Sequence, residues 1–131
     1  MPTTSVYAAV LALLFVALSI RTIRTRRRQR IAIGDAGDAT MLRAMRVHSN
    51  FAEYVPLSLI LIYLVELATG NQAIVHGLGI ALVVGRLSHA YGVSQSNENF
   101  RFRVTGMALT FLTLLVSALI LLYAYILRSV T

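Results

Sequence analysis

The run from Val104 to Leu127 holds 24 residues and no charge. No other feature restricts the fold so sharply. At 1.5 Å per residue a helix of that length reaches ~36 Å, enough to cross a hydrocarbon core of ~30 Å. A segment in that core must bond its backbone groups internally, and a helix does this alone. Three further apolar stretches precede it: Val6 to Ile20, broken only by Ser19, then about Tyr54 to Leu67, then Ala73 to about Tyr91. The pattern predicts an all-α integral membrane protein, a four-transmembrane-helix bundle forming one domain over residues 1–131. Spans are expected at about 5–24, 50–69, 73–91 and 103–127, with loops at about 25–40 and 92–100. The competing fold is a soluble bundle of unusually apolar helices. It fits poorly with 57% apolar and 13% charged residues, against roughly 45–50% and 25% in soluble domains.

Charge placement orients the bundle. All twelve basic residues are arginine, and with five acids the net charge is +7. Arg21, Arg24, Arg26, Arg27, Arg28, Arg30, Arg43 and Arg46 fall in or beside the first connection, and Arg101 and Arg103 precede the last span. The turn Gly70-Asn71-Gln72 carries none. The positive-inside rule puts both arginine-bearing connections in the cytoplasm and both termini on the other side. No positive stretch precedes the first apolar run, and no small-residue cleavage site is evident, so it reads as a retained span. The Arg24–Arg30 run belongs at headgroup level, as a topology anchor or a contact for anionic lipid. Without interleaved aromatics or a folded module beside it, it does not read as a nucleic-acid site. The absence of cysteine excludes disulfides, thiolate zinc sites, iron–sulfur clusters and a cysteine nucleophile.

Gly34-Asp35-Ala36-Gly37-Asp38 reads as a loop. Asp38 or Thr40 can cap a second helix that enters the bilayer near Asn50. Pro56 should kink that helix.

Ionisable groups inside spans are costly and are therefore candidates for function. On the second helix Arg43, Arg46, Asn50 and Glu53 are spaced three, four and three apart. At 100° per residue they share an arc of about 80°. The same stripe continues through Leu57, Ile60, Leu61 and Leu64, polar at one end and apolar deeper in. His48 points the other way and reads as a packing residue. Glu66, near the outer end, can snorkel and is given no role. On the third helix Arg86 and His89 are neighbours at i, i+3. The row Ala73, Gly77, Ala81, Gly85 and His89 suits close helix approach. His76 reads as solvated. Glu53 and His89 both lie about 24 Å from the outer face, and Arg24 about 28 Å, by helical rise. Arg103 opens the fourth helix. Groups from all four helices are thus expected in one layer just inside the cytoplasmic boundary. Ion pairs such as Arg46 or Arg86 with Glu53 could equally serve only to join helices.

Several arginines beside one carboxylate and one amide suit a small molecule carrying carboxylates and an ammonium. Glu53 can take an amine, and Asn50 can bond an amide. An arginine beside a ligand thiol would favour the thiolate. Glutathione meets this description, as do other anionic metabolites.

The run Arg46-Val47-His48-Ser49-Asn50-Phe51-Ala52-Glu53-Tyr54-Val55-Pro56 resembles the signature of the MAPEG family, the membrane-associated proteins in eicosanoid and glutathione metabolism. Gly85-Arg86-Leu87-Ser88-His89-Ala90-Tyr91 resembles the family's third-helix motif. The likeness covers nearly the whole chain and is strongest to the bacterial inner-membrane branch. It implies a homotrimer with glutathione as co-substrate, held between subunits and open to the cytoplasm, and no metal. It implies glutathione contacts from Arg46, Asn50, Glu53, Arg86 and His89, and from Arg24 at the end of the first helix. It implies that an arginine near the start of the fourth helix holds the thiolate: Arg103 first, Arg101 second. The family's synthases carry a tyrosine four residues past the third-helix histidine. Val93 stands there, with Tyr91 the nearest substitute. Gly106 and Met107 stand where the fourth helix would carry another.

The leading expectation is a glutathione-dependent membrane transferase or peroxidase acting on a lipophilic electrophile. The alternative is a non-catalytic binding or assembly protein that uses the same pocket for an anionic metabolite or lipid headgroup. A small efflux transporter ranks last, because transporters of that kind need weak arginine bias and the bias here is strong.

Overall fold

The computed structural model describes residues 1–95 and 99–130. They form four helices: α1 (Thr4–Gln29), α2 (Ala39–Thr69), α3 (Gln72–Ser94) and α4 (Phe100–Val130). Each is long and apolar enough to cross a membrane, and no strand occurs among the described residues. The chain is an all-α membrane bundle of four helices.

The helices outrun the apolar stretches. α1 continues five residues past Arg24, because arginine is a good helix former and cations in the last turn complement the carbonyl end. Arg30 ends it in the left-handed region at φ 54°, its N–H reaching the carbonyls of Arg26 and Arg27. The first loop therefore shrinks to residues 30–38. Arg26 pins it by donating to the carbonyls of Ile31 (3.3 Å) and Gly34 (3.1 Å). Of the loop expected at 92–100, residues 96–98 lie outside the described part.

Asp38 caps α2, its carboxylate accepting from the Met41 N–H at 2.7 Å. The 31 residues of α2 reach roughly 46 Å, so several turns stand clear of the hydrocarbon. The helix runs unbroken through Pro56, whose ring leaves the Ala52 carbonyl without its usual donor. Gly70 closes it at φ 61°. Asn71 then caps α3, accepting from Ala73 (3.0 Å) and Ile74 (3.3 Å). So short a turn makes α2 and α3 antiparallel neighbours.

Large side chains such as Leu13, Leu57, Leu64, Leu115 and Leu122 lie exposed, and a narrow core is left to Leu11, Val47, Phe51, Ile62, Val75 and Leu82. Lipid tails are as apolar as leucine, so close backbone contact rather than apolar burial must join the helices. α3 and α4 meet at Gly85, Gly92 and Gly106. A Cβ on Gly85 would lie 3.0 Å from the Gly106 carbonyl oxygen, and one on Gly92 would lie 2.7 Å from the Arg103 nitrogen. The small-residue row on α3 divides: Gly85 touches α4, whereas Gly77 faces open space. Buried Ser58, Thr110 and Thr113 turn their hydroxyls onto carbonyls of their own helices, at 2.8, 2.8 and 2.9 Å. His48 stacks on Phe15 with centroids 4.8 Å apart and meets the Ser19 hydroxyl at 3.0 Å, a packing position.

At the end opposite the arginine-rich loop, Glu66 is a structural clamp and does not simply snorkel to solvent. Its carboxylate accepts from the Thr3 and Thr4 backbone N–H groups and from the Thr4 hydroxyl (2.6 Å). It supplies from α2 the cap that Thr3 does not make for α1. Tyr7 and His76 join α1 to α3 nearby through a 2.7 Å hydrogen bond. Glu66→Ala is expected to lower the unfolding temperature in detergent by roughly 3–6 °C, the scale of one or two lost charged hydrogen bonds. Glu66→Gln, which keeps one acceptor oxygen, should lose about half as much. An unchanged melting curve for Glu66→Ala would show that the clamp adds nothing.

Candidate functional site

The buried face of α2 carries Met41, Ala44, Val47, Phe51 and Val55. Packing of that face turns the polar stripe toward the cleft beside α3 and α4. There Arg46, Asn50 and Glu53 line a cavity of about 370 Å³ with His89 of α3 and Arg103 of α4. Arg43, Ser49 and Val93 contribute to the same wall. Arg43 belonged to the stripe without belonging to either motif. Ser49 lies three residues after Arg46 and four before Glu53, so helical spacing alone could have found it.

Arg86 stands behind the wall. It is 1% exposed and does not line the cavity. One terminal nitrogen donates to the Asn50 side-chain oxygen at 2.8 Å. The other donates to the Gly106 carbonyl at 3.3 Å and meets the Met107 sulfur at 3.5 Å. Its guanidinium carbon lies 6.0 Å from the Tyr54 ring centroid. The side chain thus ties α2, α3 and α4 together at one point. The helix-joining pairs considered for Glu53 do not form: among the described residues Arg43, Arg46 and Glu53 have no hydrogen-bond or ion-pair partner. Among the described residues these charges face the cavity without a bonded partner.

Three residues from the sequence reading fall elsewhere. Arg24 is exposed on α1 and shares a shallow depression with Arg21 and Arg28. α1 meets α2 through Leu18 and Thr22, the latter reaching the Ala44 carbonyl at 3.3 Å. Two residues further on, Arg24 is turned about 160° away. The layer at the arginine-bearing end is therefore built from three helices of this chain, not four. Tyr91, two residues from His89, is 55% exposed and packs edge-to-face on Phe102 at 5.2 Å. Arg101 is two residues from Arg103 and is exposed, outside the cavity.

The second-helix motif thus meets the third-helix motif at one cavity, through Arg46, Asn50 and Glu53 on one side and His89 on the other. The MAPEG family model matches residues 4–123. The chain belongs to the MAPEG family. It is also similar to the inner membrane protein YecN of Escherichia coli, found alike in two strains, with 36% identity over 116 residues, 88% of this chain and 87% of the relative. Four apolar spans and this kinship make it an integral protein of the inner membrane. The structure places the two positions at which the sequence departs from the synthase pattern. Val93 is 4% exposed and closes the cavity wall. Gly106 has no room for any side chain: a Cβ there would meet the His89 nitrogen at 2.5 Å.

Proposed function

We propose that this MAPEG protein binds glutathione from the cytoplasmic side and acts as a membrane transferase or peroxidase on lipophilic electrophiles. One observation carries the reading: three arginines and a carboxylate line one cavity, and Arg43, Arg46 and Glu53 have no protein partner among the described residues. The volume of about 370 Å³ lies in the lower part of the ~300–1,000 Å³ range of small-molecule sites. Arg43 and Arg46 suit the two carboxylates of glutathione, as guanidinium forks bind carboxylates bidentately. Glu53 suits its ammonium. Arg103, arriving from α4, suits the thiol and would favour the thiolate. The electrophile enters laterally from the bilayer, and proximity with electrostatic stabilisation supplies most of the rate. In a homotrimer, the assembly that the family likeness implies, Arg24 would reach this cavity only from a neighbouring subunit.

The test is calorimetry of glutathione on detergent-purified protein. Saturable binding is expected, weakened at least tenfold in both Arg46→Ala and Glu53→Ala. Folded protein that takes up no glutathione would refute the reading. Val93 and Gly106, standing where the synthases carry tyrosine, favour a second reading: a binding or assembly protein without turnover. Glutathione binding with no conjugation of any test electrophile would establish it.

A further inference from the structure

We propose that Arg86 is a positioning residue that makes Asn50 an obligate hydrogen-bond donor to whatever occupies the cavity. This rests on the cavity being a binding site. An arginine has only donors. The Asn50 atom 2.8 Å from the Arg86 guanidinium must therefore be the carboxamide oxygen. The opposite end of the amide, its NH2, has no partner among the described residues, and Asn50 lines the cavity. It is not among the buried polar atoms left without a bond, so it is open to a ligand.

Arg86 is held well enough to enforce this. It is 1% exposed, bonded on its other arm to the Gly106 carbonyl, and seated near the Tyr54 ring. Rotating the amide by 180° would set NH2 against guanidinium, two donors face to face in a buried position, and leave both unsatisfied. Such a loss costs more than a normal hydrogen bond gains. Asn50 therefore selects an oxygen acceptor, a carboxylate or an amide carbonyl, and rejects an N–H. The expectation that Asn50 can bond an amide narrows to the amide carbonyl. Glu53 is left as the carboxylate on the wall that can take an ammonium. The division of labour fixes which way round a zwitterionic ligand lies.

Asn50→Asp separates donor from acceptor. It keeps the size and the Arg86 contact, and replaces the cavity-side NH2 with an oxygen. Glutathione Kd is expected to rise at least tenfold. An acceptor role for Asn50 predicts the opposite, tighter binding through the ligand ammonium. Ser49→Asp adds the same charge to the same wall without the Arg86 contact, so it measures the effect of charge alone, and is expected to raise Kd clearly less than Asn50→Asp does. Arg86→Lys, which can still donate to Asn50, should stay within about threefold of wild type. Arg86→Gln, which lets the amide turn, should lose about tenfold. Side-chain amide NMR on the ligand-free protein supplies a readout independent of glutathione. The Asn50 NH2 pair, assigned by its loss in Asn50→Asp, should exchange with water as an open amide does. Asn50→Asp binding as well as wild type, Ser49→Asp losing as much as Asn50→Asp, or an Asn50 NH2 protected in the empty protein would each overturn the proposal. If wild type binds no glutathione, the functional reading fails, and the NMR result still decides the orientation of Asn50.

Discussion

Arg103→Ala is expected to lower kcat for glutathione conjugation about 100-fold or more, while glutathione Kd changes less than about threefold. Arg103 brings a guanidinium from α4 to a cavity otherwise charged from α2. A preorganised charge aimed at a developing or resting anion commonly contributes a factor of ~10²–10³ in rate. The substrate carboxylates remain served by Arg43 and Arg46, so binding should survive. The signature is in the pH profile. With the arginine, the bound thiol ionises well below its free value of ~8.5. The wild-type rate should then be flat through neutral pH. Without it the thiol is protonated at neutral pH, and the variant rate should climb as pH rises toward that value. The ultraviolet absorbance of the bound thiolate at neutral pH should vanish in parallel. Arg101→Ala is the control, since Arg101 lies outside the cavity and should leave both quantities unchanged. Full conjugation activity in Arg103→Ala would remove Arg103 from this role and return Arg101 to consideration.

Gly106→Ala is expected to be the most damaging single-methyl change in the bundle. The added Cβ would lie 2.5 Å from the His89 nitrogen, 2.6 Å from the Gly85 carbonyl oxygen and 2.7 Å from the His89 Cβ. Two of these are backbone atoms, which no rotamer change can move. Ordinary carbon contacts lie near 3.5–4.0 Å, so α3 and α4 must part by about 1 Å. Overpacking of this kind costs about 1–3 kcal/mol, and more where backbone must shift. The consequences reach the site. The Gly106 carbonyl accepts from Arg86, and Arg103 and His89 flank the cavity from the two helices that separate. Melting temperature and glutathione affinity should fall together. Gly77→Ala provides the contrast. Its Cβ would meet nothing within 4 Å, and alanine is the better helix former by up to about 1 kcal/mol. Circular dichroism melts in detergent should show it unchanged or more stable. Gly106→Ala melting like wild type would mean that the two helices do not meet as described.

The four spans were legible because crossing a membrane is a demand on each segment separately. An uncharged run such as Val104–Leu127 answers it without reference to its neighbours. The polar stripe on α2 was legible for a similar reason: the 3.6-residue period places Arg43, Arg46, Asn50 and Glu53 on one face before anything packs. Helix ends were less legible. Hydropathy marks where lipid stops, while α1 continues through its arginines because the helix itself has no reason to stop there. The role of Glu66 is not legible in the sequence because its partners, Thr3 and Thr4, lie more than sixty residues away, and no local pattern announces them.

Depth and direction divide what each level decides. Rise per residue sets the height of a side chain along its own helix, so sequence alone placed Arg24, Glu53, His89 and Arg103 in one layer. Which way each points around that layer depends on how the helices are rotated against one another, and that rotation is a property of their contacts. Thr22 against Ala44 turns Arg24 outward. Gly106 pressed on Gly85 and His89 brings Arg103 inward beside the α2 stripe. Arg86 and His89 share a helix face, yet the first is buried behind Asn50 and the second lines the cavity. The sequence determined a four-helix membrane protein with a polar layer at its arginine-rich end. Only the tertiary structure decided which members of that layer face one another, because azimuth is set by packing between helices and not by the period within one.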